Sequence, residues 1–266
     1  MKAIIPAAWY WTRMLPITKT IPKEMLPIWN KPVIQYIVEW LVAAWINEIW
    51  FITSQWKWSL EWYFDKNYEL EDILVKKNKE ALLEKINEPK HLCNYVFFKQ
   101  KEQLWFPHAL LETRNRVTDD FFFVSVWDQF WDMSVYKNMI EVFFTYKQPV
   151  IWIQKVADKY LSNYWVVDFN KNWSICWIIE KPATKKEAPS NYICNGLYIL
   201  PKDFFGIIET TKLDSSKWEI VMPDCLLQLT DQWSLIPHDC GDLFWDVGTT
   251  DAWHKANIET KHLWYR

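Results

Sequence analysis

Glycine is almost missing from this chain: 4 of 266 residues, against a usual level of about 7%. A protein with many turns can hardly be built that way, because backbone positions with φ > 0 have few other occupants. Three further things are lacking. The five cysteines (Cys93, Cys176, Cys194, Cys225, Cys240) are odd in number and never spaced as CxxC, which argues against a disulfide framework and for reduced, buried thiols. There is no cationic excess: the formal net charge is −3 and the pI about 6.0, so no broad nucleic-acid footprint is expected. No uncharged apolar run approaches the roughly 20 residues of a membrane span. The apolar start is followed at once by Arg13, Lys19 and Lys23 without a small-residue cleavage site, and does not read as a signal peptide. The expectation is a cytoplasmic protein with neither membrane nor nucleic acid as partner.

What replaces glycine is tryptophan, with 21 residues. Several stand where turns belong. Asn172-Trp173 follows Asp168-Phe-Asn-Lys, a hairpin tip that wants Asn-Gly. Ala44-Trp45-Ile46 ends an amphipathic helix, where a glycine just past the cap is expected. Returning about 15 of the tryptophans to glycine would restore the usual proportion. The pattern predicts that many of them are glycine positions, as a UGA codon reassigned to glycine would produce.

Half the residues are hydrophobic and 24% are charged, enough to bury one substantial core. Through residue 160, apolar runs alternate with amphipathic segments. Strands are expected at Lys2–Ala7, Glu48–Thr53, Tyr95–Lys99, Phe121–Val126 and Val150–Val156. Helices are expected at Val33–Ala44, around Leu60–Phe64, over the charge-rich Tyr68–Asn87, and at Ala109–Arg116 and Val135–Tyr146. Such alternation implies a mixed, mostly parallel α/β sheet with helices on both faces. Beyond residue 160, Tyr164–Phe169 and Ser174–Glu180 read as an antiparallel hairpin and Ile193–Leu200 as a strand. Helices are expected at Glu219–Leu229 and Thr250–His262, with a short strand near Leu235 between them. With no Gly/Ser/Pro linker and no repeat, residues 1–266 read as a single domain.

The chemistry concentrates in the first thirty residues. A strand delivers the string Ala-Ala-Trp9-Tyr-Trp11-Thr-Arg13-Met-Leu-Pro-Ile-Thr-Lys-Thr-Ile-Pro-Lys23-Glu24-Met-Leu-Pro. Phosphate recognition wants inward-turned backbone N–H groups with cations on the same side. Arg13 can clamp phosphate bidentately, and Lys23 offers a mobile point charge. With glycine read at 9 and 11, this string resembles the signature of the bacterial sugar-nucleotide pyrophosphorylases, and its Pro-Lys-Glu-Met-Leu-Pro ending points to the glucose-1-phosphate uridylyltransferase branch. The resemblance runs on in order through Ser59-Leu-Glu-x-Tyr-Phe-Asp65, Lys99-Gln100-Lys101 to His108-Ala109, Trp127-Asp128, Ser162-Asn-Tyr-Trp165, Glu180-Lys181-Pro182, Ala188-Pro-Ser-Asn191, Asn195-Gly196-x-Tyr198, Trp218-Glu-Ile220 and Trp245-Asp246-Val-Gly248.

The resemblance implies a Rossmann-like nucleotidyltransferase fold. Residues 1–160 would form a nucleotide-binding half, and 161–266 a sugar-phosphate-binding and C-terminal helical part. It implies UTP and glucose 1-phosphate as substrates, Mg²⁺ as cofactor and a homo-oligomer. Ala7, Ala8, Trp9, Trp11, Arg13, Lys23, Glu24 and Gln100 would line the nucleotide site, with Gln100 on the uracil edge. Trp165, Glu180, Lys181 and Gly196 would face the sugar phosphate, and Asp128 and Asp246 would hold the metal. Arg13, Lys23 and Lys181 would carry catalysis. Asp119, Asp120 and Asp132 read as surface residues and His108 as structural; His238, His254 and His262 have no metal-ligand company. The family's glycine positions 9, 11, 45, 105, 127, 165 and 218 hold tryptophan, and Pro107 replaces another glycine. The alternatives are a glucose-1-phosphate thymidylyltransferase, or a non-catalytic sugar-phosphate-binding member if indoles fill the pocket.

Overall fold

A computed structural model describes residues 1–9, 12–102, 105–213, 219–241 and 244–263. In the first half, β1 (Ala3–Pro6) is followed by the cationic loop. A two-strand ribbon of β2 (Pro27–Ile28) and β3 (Lys31–Pro32) then enters α1 (Val33–Ala43). Next come β4 (Glu48–Thr53), α2 (Trp58–Tyr63), α3 (Tyr68–Lys76), α4 (Glu80–His91), β5 (Asn94–Lys99), α5 (Trp105–Leu110), β6 (Phe121–Ser125), β7 (Gln129–Trp131), α6 (Met133–Tyr146) and β8 (Val150–Lys155). The second half holds β9 (Trp165–Phe169), β10 (Ile175–Glu180), β11 (Tyr192–Pro201), α7 (Phe204–Thr210), α8 (Met222–Leu229), β12 (Ile236–Asp239), β13 (Phe244–Asp246) and α9 (Thr250–Glu259).

Nine strands form one sheet, ordered β10-β9-β11-β6-β1-β4-β5, with β8 pairing to both β11 and β12. β1, β4, β5 and β6 are mutually parallel. β11 runs against β6, β8 and β9, so these point the same way as β1, as does β12 beside β8. Only β10 and β11 are reversed, which makes the sheet mixed and mostly parallel, as expected. Alternation along each strand splits the core in two. Ala3, Ile5, Ile49 and Phe51 pack under α1 and α6, while Ile4, Trp50 and Ile52 face the side covered by α5, α7 and α8. Each large apolar side chain so buried contributes roughly 1.5–3 kcal/mol. Among the described residues no helix is long and apolar enough to cross a membrane.

Several expected elements differ in detail. Tyr68–Asn87 is two helices, broken where Asn78 takes φ 51°, a left-handed setting that asparagine tolerates. The helix expected at Ala109–Arg116 starts earlier, at Trp105, and tightens into a 3₁₀ turn at Leu111–Thr113; Pro107 falls in its first turn, where a missing N–H has no intrahelical partner to lose. Glu219–Leu229 is helical only from Met222, with Pro223 at the start, where its fixed φ suits the first turn. Cys194, Cys225 and Cys240 are buried, but Cys93 is only half-buried and Cys176 is exposed, because it lies on the outward face of β10.

Both turns singled out for glycine have positive φ. α1 closes with two N–H bonds, Trp45 to the Val42 carbonyl and Ile46 to the Leu41 carbonyl, each 3.0 Å, the Schellman pattern with Trp45 (φ 63°) at its left-handed position. Between β9 and β10, the Asn170 N–H donates to the Ser174 carbonyl (2.9 Å) and the Trp173 N–H to the Asn170 carbonyl (3.0 Å), with Trp173 at φ 60°. Trp29, first of the two residues joining β2 to β3, has φ 56°.

Candidate active site

Open α/β sheets bind ligands outside the carboxyl ends of their parallel strands. Here four neighbouring ends deliver the chemistry. β1 runs out into Ala7 and Ala8, both buried, and the Ala7 N–H reaches across to the Ile52 carbonyl (2.7 Å). β4 ends in the turn carrying Lys57, β5 in Gln100, and β6 in Val126-Trp127-Asp128. The short ribbon of β7 and β13 brings the distant C-terminal acid to this edge. Asp246 pairs with Gln129, and the Val247 N–H donates to the Asp128 carbonyl (2.9 Å).

A cavity of about 250 Å³ opens over these ends, lined among others by Ala8, Trp9, Arg13, Gln100, Asp128, Trp165, Glu180, Lys181 and Asp246. Nine of the residues singled out from the sequence thus meet on one surface. Ala7 is buried beneath it. Trp11 lies outside the described residues. Lys23 stands behind the wall, its side chain 1% exposed and its ammonium 3.8 Å from Asp128. Gly196 is not on the lining. It has φ +92°, and a Cβ there would fall 2.6 Å from Val126 Cγ2 and 2.7 Å from the Trp131 ring, so only glycine lets β11 seat against the end of β6.

Glu24 is also off the lining. It is fully buried, and its carboxylate takes Lys57 Nζ at 2.9 Å and 3.2 Å. Nothing in the sequence pattern pointed to Lys57; a lone lysine after a strand reads as solvated, and only its burial reveals its role. Gln129, Asn163, Tyr164 and Gly248 also line the cavity without having been assigned a role. Gly248 was visible within the Trp245–Gly248 motif, and its N–H donates to the Asp246 carboxylate.

The electrostatics match a site built for a polyanion and a cation. Burial lowers the Lys23 ammonium to about 8, against the pull of Asp128, Asp246 and Glu24. Burial, then the neighbouring Asp128 carboxylate, raises the Asp246 acid, against the Gly248 N–H, Lys23 and Arg13. A buried acid whose charge is disfavoured, with a second carboxylate beside it, has the chemistry of a hard-cation site. No group of three or more metal-ligating side chains occurs among the described residues, so such an ion would take its remaining oxygens from substrate and water. On the opposite lip, Glu180 and Lys181 sit 3.9 Å apart. Lys181 has φ 45° and is held by its N–H on the Tyr164 carbonyl (3.0 Å). A lysine kept in left-handed backbone at a cavity mouth is the kind of local strain that clusters at functional sites.

Residues 2–262 match the family described as Nucleotidyl transferase. A Staphylococcus saprophyticus protein named UTP–glucose-1-phosphate uridylyltransferase 2 is 36% identical over 97% of this chain and 91% of its own length. The UTP-bound UGPase of Acinetobacter baumannii superposes with a TM-score of 0.90 at 30% identity, covering 97% of this chain and 92% of that one. A UDP-glucose pyrophosphorylase complexed with UDP-glucose gives 0.86 at 33% identity, covering 98% of both chains. The chain belongs to the nucleotidyl transferase family.

Proposed function

We propose that this protein transfers the uridylyl group of UTP to glucose 1-phosphate, giving UDP-glucose and pyrophosphate. The observation that carries the reading is the convergence of Arg13, Gln100, Asp128, Asp246, Glu180 and Lys181 on one cavity at the carboxyl edge of the sheet, with Lys23 directly behind it. Residues 1–160 supply the nucleotide side. Arg13 and Lys23 hold the triphosphate, Gln100 reads the uracil edge, and the Ala7-Ala8 backbone contacts the base. Glu24 acts from beneath, as the buried counter-charge of Lys57. Residues 161–266 supply the acceptor side. Glu180 bonds sugar hydroxyls, Lys181 binds the sugar phosphate, Trp165 borders it, and Gly196 permits the close packing behind it.

A phosphate oxygen of glucose 1-phosphate attacks the α-phosphorus of UTP in line. The new P–O bond forms as the bond to the β-phosphate oxygen breaks, and pyrophosphate leaves. Joining two polyanions is chiefly a matter of positioning and charge cancellation, so no covalent nucleophile is needed. Asp128 and Asp246 fit a divalent cation, here Mg²⁺. Such an ion supplies charge neutralisation on phosphate oxygens when bound.

The test is pyrophosphate release by protein purified from its native host, with glucose 1-phosphate and either UTP or dTTP. Turnover with UTP is expected. Preference for dTTP would move the protein to the thymidylyl branch, and silence with both nucleotides would refute the assignment.

A further inference from the structure

Tryptophan, a bulky side chain, is poorly suited to left-handed backbone, yet three of the six non-glycine residues with positive φ among those described are Trp29, Trp45 and Trp173. A bulky residue at φ > 0 is an outlier. Each of the three occupies a turn position that glycine dominates: the first central residue of a two-residue hairpin, the left-handed residue of a Schellman cap, and the left-handed residue closing a three-residue hairpin loop. None is buried in the core. They are 53%, 71% and 51% exposed. The backbone is therefore glycine-shaped at positions whose side chains are half or more exposed, even though the Trp173 ring stacks on Phe169 at 4.1 Å. The other hydrophobic side chains do not behave this way: among the described residues no Leu, Ile or Val has positive φ.

We propose that the codons at positions 29, 45 and 173 are decoded as glycine in the organism that makes this protein, a UGA codon read as glycine being the simplest source. The proposal extends to Trp9, Trp127 and Trp165, which line the cavity. This extension rests on the nucleotide-site reading, since glycine there would clear indoles from the pocket and let phosphate approach the backbone N–H groups after β1. The proposal does not extend to every tryptophan. Trp253 donates its indole N–H to the Pro27 carbonyl at 2.9 Å and is used as tryptophan.

Peptide mass spectrometry on protein from the native host decides the matter. Peptides spanning positions 29, 45 and 173 are expected to carry glycine, and the peptide spanning 253 to carry tryptophan. Tryptophan at 29, 45 and 173 would overturn the proposal, whatever the enzyme does. A second measurement separates the two readings. Recombinant proteins are made with tryptophan or with glycine at 9, 127 and 165, and UTP binding is measured by calorimetry. At least a tenfold tighter Kd is expected for the glycine form. Glycine in the native peptides with no UTP binding by the glycine form would leave the decoding intact and reject the nucleotide-site reading.

Discussion

Lys57 and Glu24 are each shut away from water, at 1% and 0% side-chain exposure, and each is tolerable there because of the other. Removing one partner of a buried pair leaves an uncompensated charge, at about 3–5 kcal/mol. Lys57→Met should therefore lower the urea-unfolding free energy by that order, and the double variant Lys57→Met/Glu24→Gln should recover much of it. An unchanged midpoint in the single variant would contradict this account. His238 on β12 gives the acid limb of stability. Burial lowers its proton affinity from the ordinary 6.5, so between the folded value and 6.5 the unfolded chain binds more protons, and stability falls as pH drops below 6.5. Melting temperatures between pH 7.5 and 5 should decline, and less steeply for His238→Asn. The polar residues that meet at the cavity, Arg13, Gln100, Asp128, Glu180, Lys181 and Asp246, were legible as candidates because the resemblance ties each to a motif. Lys57, alone in a turn, and Gln129, at the start of a three-residue strand, were not, because single polar residues in such short segments carry no periodic signal.

At the level of elements, α1 ends on a strained residue. Left-handed backbone costs roughly 1–2 kcal/mol for an ordinary side chain, and glycine relieves this at the expense of some chain entropy. Trp45→Gly should stabilise the fold by about 1 kcal/mol, read from chemical denaturation; a loss of stability would show that the exposed indole contributes something the Schellman turn does not reveal. Long segments with a clear period, such as α1, β4 and α6, were readable nearly to the residue. The two-residue strands β2 and β3, and the three-residue β7 and β13, were invisible, since so few residues cannot display alternation. They matter out of proportion to their length: the ribbon of β7 and β13 is what sets Asp246 beside Asp128. The helical reading of Tyr68–Asn87 held, but the break within it was not located, for a different reason. Charge pairing supports helix on both sides of Asn78 and cannot locate the break.

Across the whole molecule, the C-terminal helix is fastened to the N-terminal ribbon. The Trp253 indole and the Asn257 amide both donate to the Pro27 carbonyl, and Asn257 Oδ1 accepts the Trp29 N–H at 2.9 Å. Asn257→Ala should cost about 1–2 kcal/mol and speed hydrogen exchange in residues 23–33, a pattern that a purely local role in α9 would not give. The same clasp has a consequence for biosynthesis. At elongation rates of roughly 5–20 residues per second, the ribosome needs on the order of ten seconds to go from Asp128 to Asp246. During that interval the nascent chain holds Arg13, Gln100 and Asp128, but neither Asp246 nor the helix that fastens the ribbon of β2 and β3. Newly made protein would thus acquire activity late, once Asp246 joins Asp128 and α9 closes on the ribbon.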